Sequence, residues 1–140
     1  MVSKEKLTEF LQSEFPQTKC SIDEVGNQGA IVRHTVGQDE LRPGGTVSGP
    51  VMMTTADVAL YVAILGEIGL VPLAVTTNLT INFLRKPSSQ KDILGKCSLI
   101  KVGRTLVVGE VELYSDGETD PVAHVIGTYA IPPKKANNDR

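Results

Sequence analysis

The sequence predicts an α+β domain in which an antiparallel sheet packs around one central helix. Two observations predict this fold: the segment after Pro50 is apolar on nearly every side of a helix, and the segments after it alternate apolar with polar residues. A helix without a polar face has to be enclosed by the rest of the protein, so we expect the strands to wrap it. A chain of 140 residues suffices for one core, and we assign a single domain to residues 1–140.

The N-terminal segment, residues 1–17, predicts a short amphipathic helix that Ser3 caps and Pro16 ends. Three apolar side chains share one face of this helix: Leu7, Phe10 and Leu11. Two strands are expected next, over residues 20–24 and 30–36.

The central helix follows a loop over residues 37–49 that is rich in glycine, proline and charge. Pro50 suits the first helical position, where its missing N–H costs nothing, with Ser48 or Gly49 at the cap. We expect the helix to end at about residues 66–69.

The rest of the chain predicts strands. Residues 75–84 alternate apolar with polar side chains, which is typical of a half-buried strand. Further strands are expected over residues 94–102, 105–115 and 122–131, and the tail, residues 132–140, is expected to be frayed.

Composition and charge exclude several classes of function. The chain has a net charge of −2, 4% aromatic residues and no Trp, unlike the basic, stacking surfaces that bind nucleic acid. The apolar stretch 51–70 contains Asp57 and Glu67, which argues against a membrane span. Cys20 and Cys97 are isolated, no metal-ligand cluster stands out and no secretory signal is present, so we expect a cytoplasmic protein without a metal.

Asp57 is the residue that fits its surroundings least. It lies two turns inside the predicted helix, too far from the N-terminus to act as a cap, and a lone buried carboxylate is costly unless it is paired. One interpretation is that Asp57 bonds a neighbouring threonine or faces a solvated rim. The other is a carboxylate held in a partly dry cleft as a base or nucleophile.

The sequence around Asp57 resembles the signature of PaaI-type hotdog thioesterases. Residues 41–50 (LRPGGTVSGP) look like the family's loop, and Asp57 follows Pro50 by seven residues, the family's spacing from its second motif glycine to its aspartate. Further similar segments are residues 76–87, 101–104 and 122–129, so that the resemblance extends over residues 33–132.

The resemblance implies a hotdog fold and hydrolysis of acyl-CoA thioesters without a cofactor, coenzyme A being part of the substrate. The family's catalytic aspartate corresponds to Asp57, as general base or nucleophile. The N–H of Gly49 corresponds to the group that holds the developing oxyanion. The family's hydroxyl-bearing residue corresponds to the Thr76-Thr77 pair, and strict alternation along the strand selects Thr77 as the one facing the helix.

The substrate site is expected to include several positions near this motif. Three of them depart from the family pattern, because Ser48 replaces a histidine, Pro50 replaces a glycine and Arg42 stands where some members have an asparagine. Asn78, on the following strand, is the fourth.

A basic stretch between residues 85 and 104 has six cations and one acid. It is either a solvated edge of polar strands or a patch for the phosphates of coenzyme A. In the second case the contacts are expected from Arg85, Lys86 and Arg104.

Helix geometry predicts an active site shared between subunits. Gly49 and Asp57 are eight residues apart, which separates their backbones by about 12 Å along one helix. One thioester carbonyl cannot easily meet both groups of the same chain, so a homodimer is the smallest active unit expected. The resemblance extends this to a homotetramer, a dimer of dimers.

Two other functions remain open. One is a hotdog hydratase or dehydratase, but such enzymes resemble one another in pairing an aspartate with a nearby histidine, and the next histidine after Asp57 is His124. The other is a non-catalytic acyl-CoA-binding module, which would not need Asp57.

Overall fold

The computed structural model describes residues 1–133, which form two α-helices and eight β-strands. The helices are α1 (Lys4–Glu14) and α2 (Gly49–Ile68), and the strands are β1 (Cys20–Gly26), β2 (Gly29–His34), β3 (Leu41–Arg42), β4 (Thr46–Val47), β5 (Val75–Phe83), β6 (Ile93–Val102), β7 (Leu106–Ser115) and β8 (Ala123–Ala130). Every predicted helix and long strand is present. The short pair β3 and β4 lies in the segment predicted as a loop, and most of the predicted tail lies outside the described residues.

Six strands form one antiparallel sheet in the order β1–β2–β6–β7–β8–β5. Buried residues recur at every second position of β6, β7 and β8, and α2 packs on the face that these residues share. The predicted α+β fold, a sheet wrapped around one central helix, is therefore confirmed.

Local sequence sets both ends of α2. The hydroxyl of Ser48 accepts the Val51 N–H at 3.4 Å. The helix begins at Gly49, so Pro50 is its second residue and not the first as predicted, but it still lies in the first turn, where no N–H is required. The helix ends at Ile68 because Gly69 adopts φ +105°, a conformation that favours glycine. The end falls inside the predicted range.

The sheet approaches α2 most closely at Leu60, which is fully buried. One methyl carbon of Leu60 lies against Gly109 of β7 and the other against Gly127 of β8. A Cβ at Gly109 would lie only 2.6 Å from Leu60 Cδ2 and 3.1 Å from Leu99 Cδ2. The glycines therefore let the two strands pass directly beneath the helix.

The cover over α2 is incomplete within one chain. Leu7 and Leu11 of α1 are buried in the core that encloses the second half of α2. In the first half of α2, by contrast, Met53 is 40% exposed. The expectation of a helix enclosed on most sides holds for the second half only. By length and composition alone α2 could also span a membrane, yet 61% of its most apolar window is buried in this domain.

Gly109→Ala is expected to destabilise the fold by about 1–3 kcal/mol, because the added methyl overlaps Leu60, which Gly127 blocks from moving away. Denaturant unfolding followed by circular dichroism measures the change. Gly37→Ala is the control, since its Cβ would meet only Glu40 Oε1, at 3.5 Å. Equal stability of the two variants would contradict the close approach at Leu60.

Candidate active site

Asp57 is half-buried on α2, and two hydroxyl groups hold one of its carboxylate oxygens. Thr76 Oγ1 donates to Asp57 Oδ1 at 2.7 Å, and the Tyr129 hydroxyl donates to the same oxygen at 2.8 Å. Among the hydrogen bonds of residues 1–133, none reaches Oδ2. The carboxylate is thus fixed through one oxygen and has the other available.

Tyr129 is the residue of this site that sequence reasoning missed. It belongs to the inward face of β8, and it is only 3% exposed. Burial, together with the adjacent Asp57 carboxylate, raises the pKa of Tyr129 far above its usual value, so the phenol remains a donor at neutral pH. A buried tyrosine needs a partner for its hydroxyl, and a buried aspartate needs donors. The need of each group for the other is the one signal in the sequence that could have paired Tyr129 with Asp57.

The threonine beside Asp57 is Thr76, and the prediction that Thr77 faces the helix is wrong. The pairing of β5 with β8 shifts register between Thr76 and Asn78, which marks a β-bulge. The bulge breaks the alternation on which the prediction depended. The Thr77 hydroxyl does not reach Asp57 and donates to the Thr128 carbonyl at 3.3 Å.

A cavity of about 600 Å³ opens beside Asp57. The middle of α2, the end of α1 with the segment after it, and the start of β5 form its walls. The lining residues are Leu11, Phe15, Gln17, Thr18, Thr54, Asp57, Val58, Tyr61, Pro72, Ala74, Val75, Thr76 and Tyr129.

Gly49 belongs to a second cavity of about 380 Å³, at the N-terminus of α2. A Cβ at Gly49 would lie 3.3 Å from the ring of Phe83, so the absence of a side chain at Gly49 lets the helix backbone lie close to this ring. Asp57 does not line this second cavity, and Gly49 does not line the first. Within one chain the two groups therefore face different spaces.

The predicted substrate residues separate into two sets. Three cationic side chains, Arg42, Arg85 and Lys86, line the Gly49 cavity together. Arg85 also donates to the Pro121 carbonyl. Arg104 instead lies in the turn between β6 and β7, away from this group.

The remaining predicted positions have local partners. Ser48 acts as the helix cap, and Pro50 is exposed in the first turn of α2. Asn78 is exposed on β5, where its side-chain oxygen accepts the Thr80 hydroxyl at 3.3 Å. None of these three residues lines either cavity.

Comparison with known proteins identifies the family. The family model of the thioesterase superfamily matches residues 44–122, more than half of the chain. A candidate thioesterase from Silicibacter sp. TM1040 is 45% identical over 95% of this chain and 94% of its own, with a TM-score of 0.88.

More distant structures share the fold. Zebrafish thioesterase superfamily member 2 is 20% identical, with 94% of this chain and 100% of that chain covered and a TM-score of 0.82. A mutant of the phenylacetic acid degradation protein PaaI from Thermus thermophilus is also 20% identical, with coverages of 89% and 99% and a TM-score of 0.72. A comparison with curated proteins gives no match. On the family match and the 45% identical structure, the chain belongs to the thioesterase superfamily.

Proposed function

We propose that this thioesterase hydrolyses acyl-CoA thioesters to a free acid and coenzyme A, with Asp57 as its catalytic carboxylate. The observation that carries the proposal is the geometry of Asp57: one oxygen is held by two hydroxyls at 2.7 and 2.8 Å while the other is available beside a cavity of about 600 Å³. A carboxylate so fixed is ready to act on a carbonyl placed in that cavity.

Two routes use Asp57 Oδ2. As a general base it takes a proton from water, whose oxygen attacks the thioester carbonyl carbon. As a nucleophile it attacks that carbon itself, and water then hydrolyses the anhydride. In both routes the C–S bond breaks and the departing thiolate of coenzyme A takes up a proton. Thr76 and Tyr129 are positioning residues in either route, because they hold Oδ1.

Gly49 supplies the oxyanion donor in this proposal. Its N–H belongs to the first turn of α2, whose N–H groups have no partner within the helix. These groups form the positive end of the helix dipole, which favours a negative charge. Arg42, Arg85 and Lys86 line the same cavity as Gly49, so three cations are available there for the phosphates of coenzyme A.

A two-fold pairing of β5 strands would complete the site, as the proposed homodimer requires. β5 pairs with β8 on one side, and its other edge has no neighbouring strand among residues 1–133. The start of β5, Val75 and Thr76, lines the Asp57 cavity, and its end, Phe83, lines the Gly49 cavity. Antiparallel pairing of two copies sets the start of one strand against the end of the other. Each Asp57 then approaches the Gly49 cavity of the partner, and the homotetramer remains a prediction.

The alternatives are less well supported by this site. No histidine is among the described residues that line the Asp57 cavity, and His124 bonds Glu110 at 2.7 Å on the sheet. A hydratase that pairs aspartate with histidine is therefore disfavoured. Replacement of Asp57 by Asn separates a binding module without catalysis from an enzyme, because only the enzyme needs the carboxylate.

Asp57→Asn is expected to lower kcat by at least about 10³-fold, because the amide keeps the volume but cannot accept a proton or attack a carbonyl. Steady-state hydrolysis of a panel of acyl-CoAs measures the loss. Glu67→Gln, at the far end of the same helix, is the matched control and should keep activity within about twofold of wild type. Wild-type turnover in a folded Asp57→Asn protein would refute the assignment.

Thr76→Val is expected to lower kcat by about 10- to 100-fold, as would the loss of a hydrogen bond to a charged group. Tyr129→Phe removes the second donor and should act similarly. Thr77→Val is the matched control, since that hydroxyl donates to the Thr128 main-chain carbonyl and not to Asp57. A loss of kcat in Thr77→Val alone would instead support Thr77 as the hydroxyl that serves Asp57.

Mixing two inactive variants tests the shared site. Asp57→Asn subunits are refolded with Gly49→Leu subunits, in which the side chain collides with Phe83. A heterodimer has one site with both changes and one with neither, so activity should return in proportion to the heterodimer formed. Verified heterodimers without activity would place both groups in the site of one chain.

A further inference from the structure

The wall of the Asp57 cavity is apolar and nearly without charge. Among the described residues that line it, Asp57 is the only ionisable acid or base apart from two tyrosines, and none is Lys, Arg or His. Burial raises the pKa of both Tyr61 and Tyr129, so these phenols remain neutral at physiological pH. Beyond the carboxylate, a ligand in this cavity meets rings, aliphatic groups and a few hydroxyl and amide groups.

Aromatic rings are concentrated at this cavity. Tyr61 lies 5.7 Å from Phe15 in an edge-to-face arrangement, 6.1 Å from Tyr129 and 6.4 Å from Phe10, between ring centroids. Four of the six phenylalanine and tyrosine rings of the chain thus form one cluster. The Tyr61 hydroxyl donates to the Pro72 carbonyl and the Tyr129 hydroxyl to Asp57, so both polar ends already have partners.

We infer that this cavity binds the acyl group, and that the substrates are thioesters of uncharged, apolar acids larger than acetate. The inference rests on the proposed hydrolysis at Asp57 and specifies its substrate class. An acyl chain with a terminal carboxylate would bury a second negative charge near Asp57 with no cation to pair it, which is strongly unfavourable. Glu14 adds a further negative charge that acts on Tyr61.

The size of the cavity sets the lower limit. Its volume of about 600 Å³ lies within the range of pockets that enclose whole small molecules. An acetyl group would leave most of the apolar wall without a partner, whereas each added methylene that becomes buried favours binding by about fourfold.

Phe15 is the specificity-determining residue of this wall. It follows α1, it is 43% exposed, and its ring contacts Tyr61 at the cavity. It also lies outside residues 44–122, the part that matches the superfamily. The motif that carries the chemistry is therefore separate in sequence from the residue that selects the acyl group.

The experiment compares hexanoyl-CoA with adipyl-CoA, which has the same six-carbon chain and a terminal carboxylate, and with acetyl-CoA. Wild-type kcat/KM is expected to be at least about 30-fold higher for hexanoyl-CoA than for either of the others. Phe15→Ala should lower the preference for hexanoyl-CoA over acetyl-CoA about tenfold, because it removes part of the apolar wall that a longer acyl chain would contact. Gln12→Ala, an exposed change on α1 outside this cavity, should leave that preference unchanged.

Binding separates this inference from the proposed hydrolysis. Calorimetric titration of Asp57→Asn with the same three acyl-CoAs should give the tightest Kd for hexanoyl-CoA, whether or not the wild type turns it over. Selective binding without turnover would uphold the apolar acyl site and refute hydrolysis. A preference for adipyl-CoA or acetyl-CoA in both measurements, or an unchanged preference in Phe15→Ala, would overturn the inference.

Discussion

The structure depends on covering one apolar helix. The sheet achieves this on one side by passing Gly109 and Gly127 directly under Leu60, and α1 covers the far half of α2 on the other. Where α1 stops, the outer face of α2 becomes accessible, and Asp57 lies at that boundary. The same packing that buries the helix therefore leaves a half-buried position for a carboxylate, with apolar walls on one side and access from outside on the other.

The sequence is sufficient to predict the helix and the strands and to single out Asp57 as a candidate, because periodicity and an unpaired charge are local signals. It is not sufficient for the neighbours of Asp57. Strict alternation assigns every second residue to one face, and the bulge at Thr77 adds one residue without changing composition, so alternation selects Thr77 where the structure has Thr76. Tyr129 is distant in sequence and reaches Asp57 only because β8 lies beside β5. Such long-range contacts are defined by strand order, which no local pattern encodes.

The family motif is continuous in sequence but not in space. Gly49 and Asp57 belong to one helix, yet they face separate cavities. The cations predicted as one basic patch also divide, since Arg85 and Lys86 line the Gly49 cavity and Arg104 lies in a distant turn. Sequence spacing alone indicated that one helix could not present both groups to one carbonyl. Which other residues accompany each group required the folded chain.

The outer edge of β5 has a consequence for the solubility of the protein. Within residues 1–133, the nine-residue strand β5 begins at exposed Val75 and ends at exposed Phe83, and alternate main-chain N–H and C=O groups on its outer edge have no strand partner. Such an edge is a template for indiscriminate strand pairing. If the proposed homodimer forms through this edge, substitutions that weaken it would reduce solubility before they reduce turnover, and precipitation would be observed rather than a population of inactive monomers. Cellular abundance would thereby become tied to the strength of one strand contact.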